Sequence, residues 1–466
     1  MNSRSHSSQE ADSTRGQSGR STPGAGVRDE RAIEAEAWVL ATEEGRKLLE
    51  EIGDPRRLTA ALINRLRNQA TAETVSAAVR LAQARQKAAL KFARGALMWV
   101  DAKGVEQATA ELVAKHKASR FRSGLVVDLC AGIGSDTLAL AASSRVVSVD
   151  LDQGMCRRVL YNAEVHGLCD RIVAVRGRAE QFPLKEGAWV HLDPDRRVSS
   201  GRRASRLIDY CPAPEFWSTV ITQVAAGAIK LSPAADFATH FAGTNVEIEL
   251  ISLGGECKEA TVWFGELASC RRRATRLPEN VTWTECDGPK SQLAPVAKPG
   301  ALIYDPDPSL LRAGLLDGFA CEHKLSRLAE GVDYLTGEHL VGSPFLTAFE
   351  VREVSSLDGR ALRRLMAKHE IGTLEIKVRG VQVTPEALRA KLKPRGTRTA
   401  TLILVGGQRA ARAILAQRVS SGGLARSSAG AEVATGSLSC ESDASPLPTD
   451  PAGSCGADAP LAVPPA

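Results

Sequence analysis

The chain has 466 residues, 43% of them hydrophobic, which is enough for two or three domains, and its net charge of +6 is only mildly basic. Its ten cysteines form no Cys-x-x-Cys pair and its eight histidines show no ligand spacing, which argues against a disulfide scaffold or a metal site. Because no apolar run reaches the length of a membrane span and the N-terminus lacks a signal-peptide core, we expect a cytoplasmic protein.

The N-terminal part divides into a polar segment and a helical region. Residues 1–30 contain almost no large apolar side chains and are predicted to be disordered. Residues 31–120 follow a helical pattern, with Asp54-Pro55 and Thr71 as predicted helix starts. The basic residues between the apolar positions at 85–94 indicate a solvated face, with a nucleic-acid contact as the alternative.

A strand–turn–helix–strand unit follows. Leu125 to Leu129 suit a buried parallel strand, and Gly132 and Gly134 then break the chain into a tight turn. A helix is predicted from about Asp136 to Ala142, and a second strand from Arg145 to Val149 ends on Asp150. Units of this kind bind ligands in the crevice at the carboxyl ends of their strands.

The turn itself indicates which ligand. Thr137 stands where a nicotinamide fingerprint needs a third glycine or alanine, so that interpretation is weakened. The spacing from Asp128 to Gly132 and Gly134 instead resembles the first motif of class I S-adenosylmethionine (SAM) dependent methyltransferases. Glycine would let the backbone approach the methionyl part of SAM, because it has no Cβ. The alternative is an α/β fold that binds no cofactor.

The acidic residues of this unit have expected roles toward SAM. Asp128 or Asp136 would meet the ammonium group of SAM or ordered water. Asp150 would accept hydrogen bonds from its ribose hydroxyls. Glu180, after the third strand, would contact the adenine amino group, a role that many members of that class give to an acid two residues earlier. The alternative is that this contact is missing.

Residues 121–270 alternate strands and helices and end in an antiparallel hairpin, Val246–Leu253 with Ala260–Phe264. This pattern predicts an α/β fold with a Rossmann-like, seven-stranded methyltransferase sheet. Residues 271–344 are expected to form a linker and helices.

A second, small α/β domain is predicted at residues 345–412. It contains 14 Lys and Arg against 6 Asp and Glu, an excess of eight positive charges that exceeds the net charge of the whole chain. The alternative is a solvated surface on a packing domain. Residues 420–466 are largely Ser, Gly, Ala and Pro and are predicted to be a disordered tail.

Several stretches together resemble a family of class I methyltransferases that carry a C-terminal THUMP-like domain. The stretches are RQKAALKF from Arg85, GVEQAT from Gly104, DLCAGIGSD from Asp128, DPDRR from Asp193, KLSP from Lys230 and IGTLEIKVRGV from Ile371. The resemblance implies SAM as the cofactor and contacts at Gly132, Gly134 and Asp150. THUMP domains bind RNA, so it also suggests RNA as the substrate class and partner.

The predicted catalytic segment is Asp193, Pro194, Asp195 and Arg196. Proline ends the strand, and the Asp193 carboxylate would accept a hydrogen bond or a proton from a substrate amine. Amino-methylating relatives have a second proline and an aromatic residue where this chain has Asp195 and Arg196. An Arg plane could stack on a base or bind a phosphate. A turn cap is the structural alternative for Asp193.

Substrate binding is assigned to the C-terminal domain. Lys377 and Arg379 lie two apart on a predicted strand and should share a face, and Arg363 and Arg364 on the preceding helix are expected to extend that basic surface. The sequence thus predicts a SAM-dependent RNA methyltransferase. The alternatives are a methyltransferase of protein or small molecules, and an RNA-binding protein that keeps the fold without activity.

Overall fold

The computed structural model describes residues 30–122, 124–196, 210–289, 292–406 and 411–419. The terminal segments to which we assigned disorder, 1–30 and 420–466, fall outside this part, except that Glu30 already begins the first helix. In the described residues no helix is long and apolar enough to cross a membrane.

The N-terminal region is built from helices that begin at polar capping residues. Thr71 Oγ1 accepts the backbone N–H of Thr74 at 3.2 Å and starts the longest of them. Asp54 also caps, but only a single 3₁₀ turn, Pro55–Arg57, follows it. The α-helices over residues 30–122 are α1 (Glu30–Ala41), α2 (Glu43–Ile52), α3 (Ala60–Arg67), α4 (Ala72–Ala88), α5 (Ala102–Gln107) and α6 (Glu111–Arg120).

Eleven strands and four helices lie between residues 124 and 289 in the described part of the chain. The strands are β1 (Leu125–Leu129), β2 (Arg145–Asp150), β3 (Ile172–Arg176), β4 (Trp189–Leu192), β5 (Asp195–Arg196), β6 (Tyr210–Cys211), β7 (Ala226–Leu231), β8 (Val246–Leu253), β9 (Glu256–Gly265), β10 (Arg272–Leu277) and β11 (Val281–Thr284). The helices are α7 (Ser135–Ala141), α8 (Gln153–His166), α9 (Pro214–Gln223) and α10 (Phe237–His240).

Nine of these strands form the first sheet, in the order β11-β10-β8-β9-β7-β4-β1-β2-β3, while β5 and β6 pair with each other. Five neighbouring strands of this sheet run parallel, namely β3, β2, β1, β4 and β7. The strands β8 and β9 form the antiparallel hairpin that we predicted, and β9 pairs antiparallel with β7. The α/β fold is thereby confirmed, but the prediction of seven strands was wrong, because this sheet has nine. The chain after β9 returns to pair β10 with the outer edge of β8, and β11 follows it.

Helices cover both faces of the first sheet because side chains alternate along its strands. Val126 of β1 packs in a cluster with Val105 of α5, Ala118 of α6 and Val159 of α8. Its neighbour Val127 packs in a cluster on the other side, with α9. The helices α5 and α6 therefore share the core of the cofactor-binding unit.

A second sheet of seven strands begins inside the segment 271–344, where we expected a linker and helices. Its order is β13-β14-β12-β15-β18-β17-β16, from β12 (Leu302–Pro306), β13 (Ser326–Arg327), β14 (Leu335–Gly337), β15 (Leu346–Ser356), β16 (Ile371–Arg379), β17 (Arg398–Val405) and β18 (Arg412–Arg418). The helices of this region are α11 (Pro308–Arg312), α12 (Leu316–Glu322), α13 (Gly359–Lys368) and α14 (Pro385–Leu392). The last strand extends the sheet beyond residue 412, where we placed the end of the domain.

Candidate active site

The carboxyl ends of β1, β2 and β4 meet at one edge of the first sheet. Leu129 pairs with Val149 on one side and with Leu192 on the other. The residues that follow these three positions begin the turn 130–134, which we call the glycine loop, and supply Asp150 and Asp193. The fold thus brings the predicted cofactor and catalytic residues to one crevice.

Glycine is required in the glycine loop by the backbone itself. Gly132 has φ +57° and Gly134 has φ +87°, a left-handed region that side chains disfavour. A Cβ added at Gly132 would meet no other atom within 4 Å, so this position faces open space, whereas one at Gly134 would lie 3.1 Å from Val159. A ligand can therefore approach the backbone closely at Gly132.

Asp150 ties the glycine loop to the next strand. Its Oδ2 accepts the backbone N–H of Gly132 and its Oδ1 accepts that of Asp152, both at 2.9 Å. Each carboxylate oxygen has a second lone pair, so acceptor capacity for a diol remains. Burial raises the pKa of Asp150 to about 6, although both backbone bonds favour the ionised form. At neutral pH the carboxylate is ionised and able to accept.

Asp128 is directed into the protein instead of into the crevice. Its side chain is fully buried and accepts the hydroxyl of Thr137, and His191 Nδ1 lies 2.7 Å from its Oδ1. A direct contact of Asp128 with the SAM ammonium group, one of our two sequence alternatives, is therefore not supported. The residue instead joins β1 to α7 and β4.

Asp136 is also occupied by protein partners. Thr109 Oγ1 donates to its Oδ2 at 2.7 Å, and Lys117 Nζ lies 2.8 Å from its Oδ1. Burial disfavours ionisation of the Asp136 carboxyl group, but the positive charges around it, that of Lys117 foremost, together outweigh burial and hold the pKa of Asp136 well below its usual value. Lys117 also pairs with Glu259 at 2.9 Å. These buried charges link α6 and α7 to β9, so the Asp136 carboxylate is paired inside the protein, and its direct contact with the SAM ammonium group is not supported either.

Unlike Asp128 and Asp136, Asp193 is a carboxylate within reach of the crevice. Its backbone N–H donates to Leu129 at 3.1 Å, and its Oδ2 accepts Lys230 Nζ at 2.7 Å. Its side chain remains 32% exposed. Even so, the surroundings exclude enough water that burial raises the pKa of Asp193, and Lys230 opposes that rise. A raised pKa makes a carboxylate a better proton acceptor, whereas the contact with Lys230 favours its ionised form.

The rest of the predicted catalytic segment is arranged around Asp193. Pro194 is buried. Asp195 is exposed, begins β5, and accepts Gln107 Nε2 at 3.0 Å. The backbone of Arg196 pairs with β6, while its side chain and Arg197 lie outside the described residues.

Glu180 lies in a 3₁₀ turn, Ala179–Gln181, directly after β3. Its side chain is 33% exposed and is 3.5 Å from Arg178 NH2. The role that we gave it toward adenine stays a prediction. Leu151, which follows Asp150 and is 53% exposed, offers an apolar surface beside this carboxylate that the sequence did not single out.

The predicted substrate residues do not form one surface. Lys377 Nζ lies 2.8 Å from Asp305 Oδ2, and Arg379 NH2 lies 3.8 Å from Asp305 Oδ1, so these two residues do share a face. The alternate residues of β16, such as Ile376, pack in a cluster with α13 on the opposite face. Our expectation that α13 extends the Lys377 surface was therefore wrong, because the sheet separates them.

Sequence reasoning missed the residues that hold the crevice together. Lys117, His191 and Lys230 contact Asp136, Asp128 and Asp193, and in two of these pairs the partners are more than 30 residues apart in the chain. Lys230 lies in KLSP and Thr109 in GVEQAT, stretches that carried the family resemblance. That was the available signal; His191 and Lys117 had none. Within the described residues no group of three or more His, Cys, Asp or Glu side chains could hold a metal ion.

The comparisons with known proteins agree with this geometry. Residues 346–418 match the family model described as THUMP domain-like. An uncharacterised SAM-dependent methyltransferase of Mycobacterium tuberculosis is 33% identical over 307 residues, which cover 64% of this chain and 82% of that protein. A crystal structure of a methyltransferase candidate from Porphyromonas gingivalis W83 superposes with a TM-score of 0.67 over 84% of this chain and all of that chain, at 18% identity.

The sheet order and the crevice define a class I methyltransferase fold. With a relative of this identity and coverage, the chain belongs to the SAM-dependent methyltransferases, and it carries a THUMP-like domain at its C-terminus. It is an enzyme of this class, and its cofactor is SAM. The open space at Gly132 and the acceptor capacity of Asp150 fit that cofactor.

Proposed function

We propose that this enzyme transfers the methyl group of SAM to RNA. The observation that carries the proposal is the THUMP-like domain joined to the methyltransferase sheet, because THUMP is an RNA-binding kind of domain. Its helices α13 and α14 add support. Arg363, Arg364, Lys391 and Lys393 are exposed there, and none of them forms a salt bridge within the described residues. Unpaired cations on one side of a small domain suit a phosphate backbone.

For the cofactor, the glycine loop and Asp150 would form the binding surface. Gly132 would allow the methionyl part to lie against the backbone, and Asp150 would accept hydrogen bonds from the ribose hydroxyls. Bound SAM supplies a methyl group on a sulfonium, which is open to in-line attack. The leaving group is then S-adenosylhomocysteine.

For the chemistry, Asp193 would orient the attacking atom of the substrate and receive its proton. The enzyme has to hold nucleophile and methyl group aligned, and a fixed carboxylate beside the cofactor crevice does this for an N–H or O–H group. Lys230 keeps the carboxylate in place through their 2.7 Å contact. Because the Asp193 side chain is partly exposed, the amino group of a nucleobase could reach it from solvent.

The test is incubation of the protein with methyl-labelled SAM and separated RNA, protein and small-molecule fractions of a cell extract. We expect label in RNA, and much less label with Asp150→Ala at a SAM concentration that saturates half of the wild-type sites, because weaker binding would leave less than about a tenth of its sites occupied. Label in protein or in a small molecule would replace RNA as the substrate. If no fraction is labelled by a protein that binds SAM, the proposed transfer is refuted.

A further inference from the structure

The segment from Ala102 to Thr109, which we call the bridging segment, contacts the glycine loop. Gly104 packs so closely on Ile133 that an added Cβ would lie 2.5 Å from its Cγ2. Thr109 donates to Asp136 at the start of α7. One side of the bridging segment therefore fixes the cofactor side of the crevice.

The other side of the bridging segment contacts the catalytic segment. Gln107 Nε2 donates to Asp195 Oδ1 at 3.0 Å, and the Gln107 carbonyl oxygen accepts Lys230 Nζ at 3.2 Å. Lys230 in turn pairs with Asp193. One residue of the N-terminal region thus touches two side chains of the substrate side, Asp195 and the partner of Asp193.

Lys91 anchors the end of the bridging segment. Its Nζ donates to the carbonyl oxygens of Val105 and Ala108, both at 2.7 Å, and of Glu106 at 3.2 Å. An ammonium group has three donors, and here all three are used on the end of one helix, where carbonyl groups lack helical partners. Lys91 therefore holds the backbone on both sides of Gln107.

We infer that the bridging segment, anchored by Lys91, sets the position of the Asp193–Asp195 segment relative to the glycine loop. For Asp193 this rests on the proposed function. Methyl transfer requires the acceptor and the methyl group in line, and a misplacement of about 1 Å can cost about a hundredfold in rate. Lys91 and Gln107 act as positioning residues, since they touch the residues around the reacting atoms and not the substrate. The N-terminal helices are then a working part of the active site.

The test compares Lys91→Met with Lys87→Met. Lys87 is an exposed lysine in the last turn of α4, four residues before Lys91. Gln107→Ala and Glu106→Ala, at two neighbouring exposed positions, form a second matched pair. For each variant we would measure hydrogen exchange of the peptide 189–196, affinity for S-adenosylhomocysteine, and kcat and KM for methyl transfer. Lys91→Arg, which keeps charge and donors, serves as the conservative rescue.

We expect Lys91→Met to speed exchange at residues 193–196 and to lower kcat by about tenfold or more, with product affinity changed less than about threefold. Gln107→Ala removes the side-chain bond to Asp195 but keeps the carbonyl bond to Lys230, so it should cause the same changes to a smaller extent. Lys91→Arg should recover part of both losses. If the variants behave like their controls, or if exchange rises everywhere together with loss of product binding, the inference is overturned. Should the wild type methylate no RNA, the proposed function fails, but exchange at 193–196 still decides this inference.

Discussion

The crevice of the first sheet and the surface of the THUMP-like domain use charge in opposite ways. At the crevice the charges are buried and paired, as in Lys117 with Asp136 and Glu259. On α13, Arg363 and Arg364 are exposed and form no salt bridge within the described residues. Paired buried charges fix a geometry, while exposed unpaired charges attract a charged partner. We therefore propose that the chemistry takes place at the crevice and that the C-terminal domain attracts the substrate.

The same contrast divides the THUMP-like domain itself. Lys377 and Arg379 share the carboxylate of Asp305, and Lys377 Nζ also lies 5.8 Å from the Phe349 ring centroid. A cation that already has a carboxylate partner has less to gain from a phosphate. The domain carries the excess of basic residues counted in the sequence, but exposed cations that can attract a phosphate and form no salt bridge within the described residues lie on α13 and α14, and not on β16.

The largest expected effect is on the buried charges. Lys117→Met leaves Asp136 and Glu259 buried without their counter-charge, which should lower the free energy of unfolding by about 3–5 kcal/mol. Lys115→Met, on the same helix, removes a surface pair with Glu111 and should cost about 0.5 kcal/mol. Urea denaturation of both variants checks this. Equal midpoints would mean that the buried network does not fix the crevice.

The next effect concerns cofactor affinity. Asp150→Ala should weaken SAM binding by about 1.5–3 kcal/mol, the range for hydrogen bonds to a charged acceptor. Asp170→Ala, an exposed change before β3 at the opposite edge of the sheet, is the control and should leave affinity unchanged. Calorimetry measures both. An unaltered affinity in Asp150→Ala would remove this residue from the site.

A pH dependence follows from the same carboxylate. Because the pKa of Asp150 is raised to about 6, the group takes up its proton as pH falls through that value and loses acceptor capacity. SAM affinity should therefore drop about tenfold between pH 7 and pH 5, and Asp150→Asn should show a flatter profile. The sign for stability is opposite, since the folded state holds this proton more tightly, so Asp150 disfavours folding as pH rises from about 4 to about 6. An identical profile for Asp150→Asn would assign the pH effect to another group.

The smallest effect separates the two basic faces. Replacing Arg363 and Arg364 with Ala should reduce the salt slope of RNA binding by about 1.5, as two lost phosphate contacts require. Replacing Lys377 and Arg379 should change the slope by less than half as much, because Asp305 already neutralises part of their charge. Salt titrations of both double variants beside the wild type test this order. A larger change from the strand pair would reverse our assignment of the faces.

The sequence predicted the tight turn and the acid at the end of β2 because local geometry demands particular residues there. The left-handed backbone at position 132 requires glycine, and Asp150 stands at the end of a strand. Both features can be recognised within a short stretch of sequence. The contacts of Lys117 with Asp136 and Glu259 leave no such signal, since any acid and base brought together by the fold would serve. The strand β10 was missed for a related reason. Only its pairing with β11 is local, whereas its place in the sheet depends on the distant strand β8 and on the pair of Arg273 with Glu247.

The account is tested most directly by the kinetics of methyl transfer from SAM to RNA, with two variants measured side by side. Asp193→Asn should lower kcat by about a hundredfold or more and leave KM for RNA nearly unchanged, because it removes the proton acceptor that we propose. The Arg363→Ala, Arg364→Ala double variant should raise KM for RNA and leave kcat nearly unchanged, because it removes attraction at a distance from the reacting atoms. If Asp193→Asn keeps its turnover, or if both variants change the same constant, the separation of chemistry and substrate attraction is contradicted.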